Sequence, residues 1–219
     1  MSDPHIESVN AITIQHGYQV IELIGIGMNA SVYRATQIQT QKEVAIKSIL
    51  TPLESGREFI MKELTNHQSV NHLPFIPKLY DHFISTGQER LYLVMELIKG
   101  SNCFYILTEG RDWNLYWKLL GIALPVLKLL HQAGFRHNDM TWNNLIWTET
   151  EMFIIDFSYL SSKQRLVHDI CFLLDDDQMN YDNWTNHGGL VKLKELRRRV
   201  EAMIPIEIDA VIKEYNLIN

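Results

Sequence analysis

The sequence predicts an α+β protein of two lobes: an antiparallel-sheet N-lobe with one main helix over residues 1–98, then a reduced helical C-lobe over residues 99–219. Three observations predict it. Before Ile98, short apolar runs alternate with polar residues between turn signals, the period-2 pattern of half-buried strands. Past Gly100, the run from Trp113 to Gln132 repeats its apolar residues at helical spacing. The chain's 219 residues are 46% apolar, enough to bury a core in each half.

The elements follow in order. Tyr18 to Ile24 alternates and meets Gly25 and Gly27. Ser31–Ala35 restarts a strand, and Glu43–Ile49 is another. Thr51-Pro52-Leu53-Glu54 reads as a helix start, a threonine cap with proline first and glutamate three on. Ser55 with Glu58 offers a second capping box, so the start is open by a turn. That helix runs to about Val70. Strands follow near Leu79–Ile84 and Leu91–Leu97. In the C-lobe, Leu115, Leu119, Ile122, Ala123, Val126, Leu127 and Leu130 mark the long helix, which Pro125 should kink and Gly134 should end. A loop from Phe135 to Asn144 leads to short strands at Leu145–Thr148 and Met152–Ile155. Helices are expected at 168–175, 190–203 and 205–217.

Composition narrows the function classes. A net charge of −6 with 21% charged residues does not suit a protein held to nucleic acid by overall charge. The basic run Lys192, Lys194, Arg197, Arg198 and Arg199 reads as a solvated helix face, and Asp175-Asp176-Asp177 as a loop. Cys103 and Cys171 show no pairing pattern, which predicts a reduced, intracellular, cytoplasmic protein. Asp3, His5 and Glu7 argue against a signal peptide, and the apolar stretch Leu119–Leu127 is too short to span a bilayer. The histidines lack zinc spacing.

Chemistry concentrates in five places. Gly25-Ile26-Gly27-Met28-Asn29-Ala30-Ser31-Val32 is a glycine turn between strands, where backbone N–H groups can approach phosphates. Val44-Ala45-Ile46-Lys47 ends an apolar strand in a lysine that is costly to bury unpaired. Glu54, Glu58 and Glu63 are the candidate partners. Leu91 to Ile98, with Met95 and Glu96, reads as a buried strand running into the lobe connection. His137-Asn138-Asp139-Met140-Thr141-Trp142-Asn143-Asn144 sets an acid and an amide in one loop; Asp139 can orient or take a hydroxyl proton and Asn144 can hold a metal. Phe153-Ile154-Ile155-Asp156-Phe157-Ser158 puts a carboxylate just past an apolar strand, the hard oxygen donor that Mg²⁺ prefers.

In this order, the five elements resemble the protein-kinase superfamily over about residues 18–158. The resemblance implies a bilobal protein-kinase-like fold and ATP and Mg²⁺ as cofactors. Gly25, Gly27, Ala30, Val32, Ala45, Met95, Glu96 and Ile98 would surround the nucleotide. Val32 would pack on adenine, Met95 would be the gatekeeper, and the backbone of Glu96 and Ile98 would bond the base. Lys47 would contact the α/β-phosphates, braced by Glu63, which precedes His72-Leu73-Pro74-Phe75-Ile76 at the family's spacing. Asp139 would be the catalytic acid/base, while Asn144 and Asp156 would hold Mg²⁺.

The sequence also departs from that family. Asn138 stands where regulated members carry arginine, Thr141 where Ser/Thr kinases carry lysine, and Ser158 where D-F-G has glycine. No A-P-E follows, and a short interval separates Asp156 from His168. His-Asn-Asp is similar to choline and aminoglycoside kinases. Thr141, the short segment and His168-Asp169-Ile170 resemble RIO and KEOPS-associated kinases, in which Asp169 would support the catalytic-loop backbone. The leading expectation is a minimal Ser/Thr protein kinase, independent of activation-loop phosphorylation and acting on a protein. A compact small-molecule or RNA-linked kinase or ATPase is the alternative, and a pseudokinase binding module a third reading.

Overall fold

The computed structural model describes residues 4–50, 56–85, 90–162, 166–175, 179, 181, 184–185, 188–202, 210 and 213. The proposed helix start at Thr51–Ser55, most of the expected 205–217 helix, Asp176, Asp177, Lys163 and Arg165 lie outside them. The chain divides into two units, Met1–Ile98 and Lys99–Asn219.

In the first unit the central strands of a sheet are buried on both faces. Strands β1 (Tyr18–Ile26), β2 (Ala30–Gln37), β3 (Glu43–Leu50), β4 (Leu79–Ser85) and β5 (Arg90–Glu96) lie in the order β1-β2-β3-β5-β4. Every neighbouring pair is antiparallel. On β5, Tyr92 and Val94 join one core cluster with Val44, Ile46 and Phe83. Leu91 and Leu93 join another with Ile49 and Leu64. That is why β3 and β5 read as nearly continuous apolar runs: successive side chains point to opposite faces, and both are covered.

Each face has its own helix. Helix α1 (Pro4–Thr13) was not evident in the sequence reading. It places Val9 in the first cluster with Ile6 and Ile12 packed beside it, and the Asn10 side chain accepts from Val20 N–H at 2.9 Å. Helix α2 (Gly56–Val70) covers the second face. Its buried residues Glu63, Leu64, His67 and Val70 fall on one stripe at helical spacing.

The second unit opens with β6 (Ser101–Asn102), which pairs with β7 (Leu145–Trp147), itself paired with β8 (Met152–Ile154). Gly100 is required there, because a Cβ would lie 2.6 Å from the Trp147 carbonyl oxygen. Asn102 caps α3 (Cys103–Gly110), another helix absent from the sequence reading, by accepting from Phe104 N–H at 3.0 Å. Asp112 caps α4 (Trp113–Gln132) in the same way. Helix α4 runs unbroken through Pro125, and the residue whose carbonyl the proline ring meets is Gly121. It ends as predicted at Gly134, φ +90°. There the N–H groups of Gly134 and Phe135 return to the carbonyls of His131 and Leu130, a Schellman ending.

Helices α5 (Leu166–Leu173) and α6 (Gly188–Ala202) complete the described elements. Gly189, Leu193, Leu196 and Val200 form the buried stripe of α6. A Cβ at Gly189 would stand 2.1 Å from the Trp113 ring, so glycine here answers to an aromatic core of Trp113, Tyr116, Trp142, Tyr181 and Trp184. The basic face of α6 is engaged within the unit. Arg197 pairs with Asp175 and Glu201, Arg198 with Glu195, and Lys192 lies over the Trp117 ring. No helix among the described residues is long and apolar enough to cross a membrane. Cys103 and Cys171 are free thiols. Burial pushes the Cys103 thiol up to about 12, which keeps it protonated and unreactive at neutral pH.

Candidate functional site

In the first unit the glycine turn joins β1 to β2. Gly27 N–H donates to the Ala30 carbonyl at 2.7 Å, and Leu50 N–H to the Asn29 carbonyl at 2.9 Å. A Cβ on Gly25 would meet Val32 at 3.6 Å and one on Gly27 the Ala30 oxygen at 3.6 Å, both ordinary contacts. Neither glycine has a positive φ. The hairpin itself would therefore accept side chains at both positions. Met28, at the tip, is fully exposed.

Lys47 stands opposite Leu93 in the β3–β5 register, on the face that α2 covers. It is buried, and its ammonium forms an ion pair with Glu63, itself only 4% exposed. Neither charge could be held there alone, since an uncompensated buried charge costs several kcal/mol. Of the other two candidates, Glu58 is exposed on α2 and Glu54 falls outside the described residues. Ala45 is buried on β3, and Ala30 and Met95 pack against the same cluster. Val32 and Ile98 are half-buried. Glu96 N–H already donates to the Lys78 carbonyl at 2.8 Å. A base bonding Glu96 would therefore meet its carbonyl oxygen.

In the second unit the loop His137–Asn144 hangs on one fully buried carboxylate, that of Asp169 on α5. Asp169 Oδ2 accepts from His137 N–H at 2.9 Å and from His131 Nε2 at 2.9 Å. Its Oδ1 accepts from Asn138 N–H at 2.6 Å. Burial pushes the Asp169 carboxyl up, but these donors together outweigh it, and the net direction is down. Burial lowers the His131 imidazole against the pull of Asp169, leaving a neutral ring that donates through Nε2 to a carboxylate. His137 Nε2 meets the Ile155 carbonyl at 3.0 Å, tying the loop to the residue that follows β8 and precedes Asp156.

Asp139 and Asn144 are brought together. The Asn144 amide nitrogen donates to the Asp139 carbonyl at 2.7 Å and to its Oδ2 at 3.0 Å. Burial holds the Asp139 carboxyl above its usual range, against the Asn144 bond, which pulls it down. A raised carboxyl is a better proton acceptor. The Asn144 carbonyl accepts from Ile155 N–H at 3.0 Å, which sets Asn144 beside the residue preceding Asp156.

These residues fit a hard cation. The Asn144 amide nitrogen is held by Asp139, which leaves its oxygen as the amide atom able to ligate a cation, and Asp156 carries a carboxylate. Among the described residues no group of three or more His, Cys, Asp or Glu side chains is placed to hold a metal ion by itself. Two oxygen donors completed by phosphates and water are what Mg²⁺ takes.

Asn138 carries a role the sequence reading did not assign. It adopts φ +63°, which asparagine tolerates better than most residues. Its amide nitrogen donates to the Tyr159 carbonyl at 2.8 Å and to Ser161 Oγ at 2.9 Å. Arg136 and Ser161 form a two-way backbone bridge beside it. The only sequence signal was asparagine in place of arginine, which shows a loss and not the contact that replaces it.

A family profile described as Protein kinase domain matches residues 18–169. Among curated proteins, the chain is 32% identical over 157 residues to human Serine/threonine-protein kinase H1, covering 68% of this chain and 36% of that protein. It is 27% identical over 170 residues to CBL-interacting serine/threonine-protein kinase 20 of Arabidopsis thaliana, covering 74% and 38%. It is 28% identical over 155 residues to Probable serine/threonine-protein kinase YbdM of Bacillus subtilis, covering 68% and 59%. The matched part is thus about a third of the human and plant relatives and somewhat over half of the bacterial one.

Proposed function

The chain belongs to the protein kinase family, and from that premise we propose that it transfers the γ-phosphoryl group of Mg·ATP to a serine or threonine hydroxyl of a protein. The observation that carries the reading is the pairing of a half-buried, raised-pKa Asp139 with Asn144 on a loop held by Asp169. In the reaction, Asp139 takes the proton of the acceptor hydroxyl as that oxygen bonds to the γ-phosphorus and the bond to the β-phosphate oxygen breaks, releasing ADP. Gly25, Gly27, Ala30, Val32, Ala45, Met95, Glu96 and Ile98 would accommodate the nucleotide, with Lys47, braced by Glu63, on its phosphates. Asn144 and Asp156 would hold Mg²⁺, which supplies charge neutralisation on the phosphates.

We also propose that the rate does not depend on phosphorylation after Asp156. In regulated kinases a phosphate orders that segment through a cation. Here uncharged groups hold it: the Asn138 amide to Tyr159 and Ser161, and the backbone of Arg136 to the backbone of Ser161.

The test is a radiolabelled-ATP assay on mixed protein, nucleoside, choline and aminoglycoside acceptors. Label should appear on protein serine or threonine, and Asp139→Asn should cut turnover by roughly 10²–10⁴-fold with ATP affinity within a few-fold. Label confined to a small molecule, or ATP hydrolysis without an acceptor, would favour the compact small-molecule kinase or ATPase. Nucleotide binding with no turnover would favour a binding module.

A further inference from the structure

Asn102 is placed by strand pairing. In the β6–β7 register Ser101 lies opposite Trp147 and Asn102 opposite Ile146, and the close approach at Gly100 sets β6 tight against that strand. Both ends of the Asn102 side chain are in use. Its oxygen caps α3 through Phe104 N–H at 3.0 Å. Its nitrogen donates to the Asn143 carbonyl at 2.6 Å, a partner 41 positions along the chain. The cap needs only an oxygen, which serine, threonine or aspartate would also supply. The second bond needs a donor on a separate atom, which asparagine has and those three lack.

The carbonyl it holds belongs to a single 3₁₀ turn, Trp142–Asn144. Each carbonyl of that turn meets a donor: Leu145 N–H at Trp142, the Asn102 amide at Asn143 and Ile155 N–H at Asn144. The first and last donors are backbone groups that almost any sequence provides; the middle one is a side chain. The peptide from Asn143 to Asn144 is therefore held by Asn102. The next side chain along is the Asn144 amide, which meets Asp139 at its carbonyl and at Oδ2. Asp169 anchors the start of this loop, and Asn102 stands at its end.

We propose that Asn102 is a positioning residue for phosphoryl transfer: by holding the Asn143 carbonyl it orients the Asn144 amide against Asp139, in addition to capping α3. This rests on the reading of Asp139 as the proton acceptor. Asn143 is exposed, so water can take over a freed carbonyl and losing the bond costs little stability. What the loss releases is the rotation of one peptide plane, next to a group whose placement sets the rate.

Capping and positioning rank the substitutions differently. Melting should follow the cap, with Asn102→Ser and Asn102→Asp close to the parent and Asn102→Ala lower. The rate should follow the amide donor, which all three lack. Asn102→Ser adds no charge and is the deciding variant. The full chain, labelled with ¹⁵N at asparagine, is first read by NMR without nucleotide. The Asn144 side-chain amide signal, identified by its loss in Asn144→Asp, should move in Asn102→Ser. In labelled-phosphate transfer to the acceptor found in the screen above, kcat of Asn102→Ser should fall about fivefold, the scale of one neutral hydrogen bond, with KM for ATP unchanged. An unmoved Asn144 signal in folded Asn102→Ser would overturn the inference. Rates that track the cap, parental in Asn102→Ser and Asn102→Asp and low in Asn102→Ala, would overturn it too, as would a moved signal with parental kcat. None of these results touches the proton-acceptor reading. That reading falls if Asp139→Asn keeps the parent's turnover, and the inference then falls with it.

Discussion

Replacing Asp169 by asparagine removes one charge and changes no volume, so its cost can be worked from the hydrogen bonds. Oδ2 has two donors and Oδ1 has one. The amide will therefore turn its nitrogen toward Asn138 N–H, keeping two bonds and losing one. A lost charge-assisted bond that strands a buried donor costs about 2–4 kcal/mol. At roughly 2–4 °C per kcal/mol for a chain of this size, melting should fall by about 5–15 °C. The stranded donor is the N–H next to Asp139, so the proposed general base loses its anchor. Turnover should drop by roughly 10–10²-fold, the scale of small misplacements at a reacting centre. Nucleotide affinity should stay within a few-fold, because Lys47 and Glu63 are untouched. The assays are thermal unfolding, labelled-phosphate transfer and fluorescent-nucleotide binding on one preparation. An Asp169→Asn protein with parental melting and rate would refute the anchor. Nucleotide affinity falling in step with rate would show general unfolding in place of a loosened loop.

Three other predictions follow from the same geometry. Lys47→Met removes the ammonium paired with the buried Glu63 carboxylate and should cost about 3–5 kcal/mol in denaturant unfolding, whereas Lys47→Met/Glu63→Leu should recover most of it; a single variant as stable as the parent would sink the claim. Burial lowers the His67 and His131 imidazoles below their ordinary value. Their neutral forms belong to the folded state, so stability is full above the ordinary imidazole pKa and is lost as pH falls through and below it. Melting should drop between about pH 7 and pH 5, less so in His67→Gln/His131→Gln, and a flat or rising profile toward acid would contradict this. Phosphatase-treated protein and Ser161→Ala/Ser162→Ala should keep the full transfer rate; a large loss restored by autophosphorylation within 158–167 would show that the segment is a switch.

Local pattern carries much of this protein. Alternation marks β1 and apolar runs between turn signals mark the other strands, because both patterns are written in the strands' own residues. The i, i+4 spacing after Trp113 marks α4, and Gly134 marks its end for the same reason. The candidate-site residues stand out as types in unusual places: a lysine closing an apolar strand and a carboxylate just past a buried strand. Length alone did not hide helices α1 and α3, since α5 has eight residues as α3 has and is legible. Ile6, Val9 and Ile12 gain their meaning only from the sheet face they cover, since helices of that length are stabilised by packing and not by propensity.

Tertiary structure decided what depends on partners distant in sequence. Three glutamates were open to Lys47, and the stripe of α2 that faces the sheet selects Glu63. Asp169 could as well have capped a surface helix, but α5 carries it inward to the backbone of His137 and Asn138. Asn138 looked like a missing arginine and is instead bonded to Tyr159 and Ser161. Ser158 looked like a lost glycine and is instead bonded to Asp156. The sequence by itself determined which residue types are present and in what order; only the fold decided which hydrogen-bond donors meet which carboxylates, because those contacts depend on backbone conformation and on pairings between segments far apart in the chain.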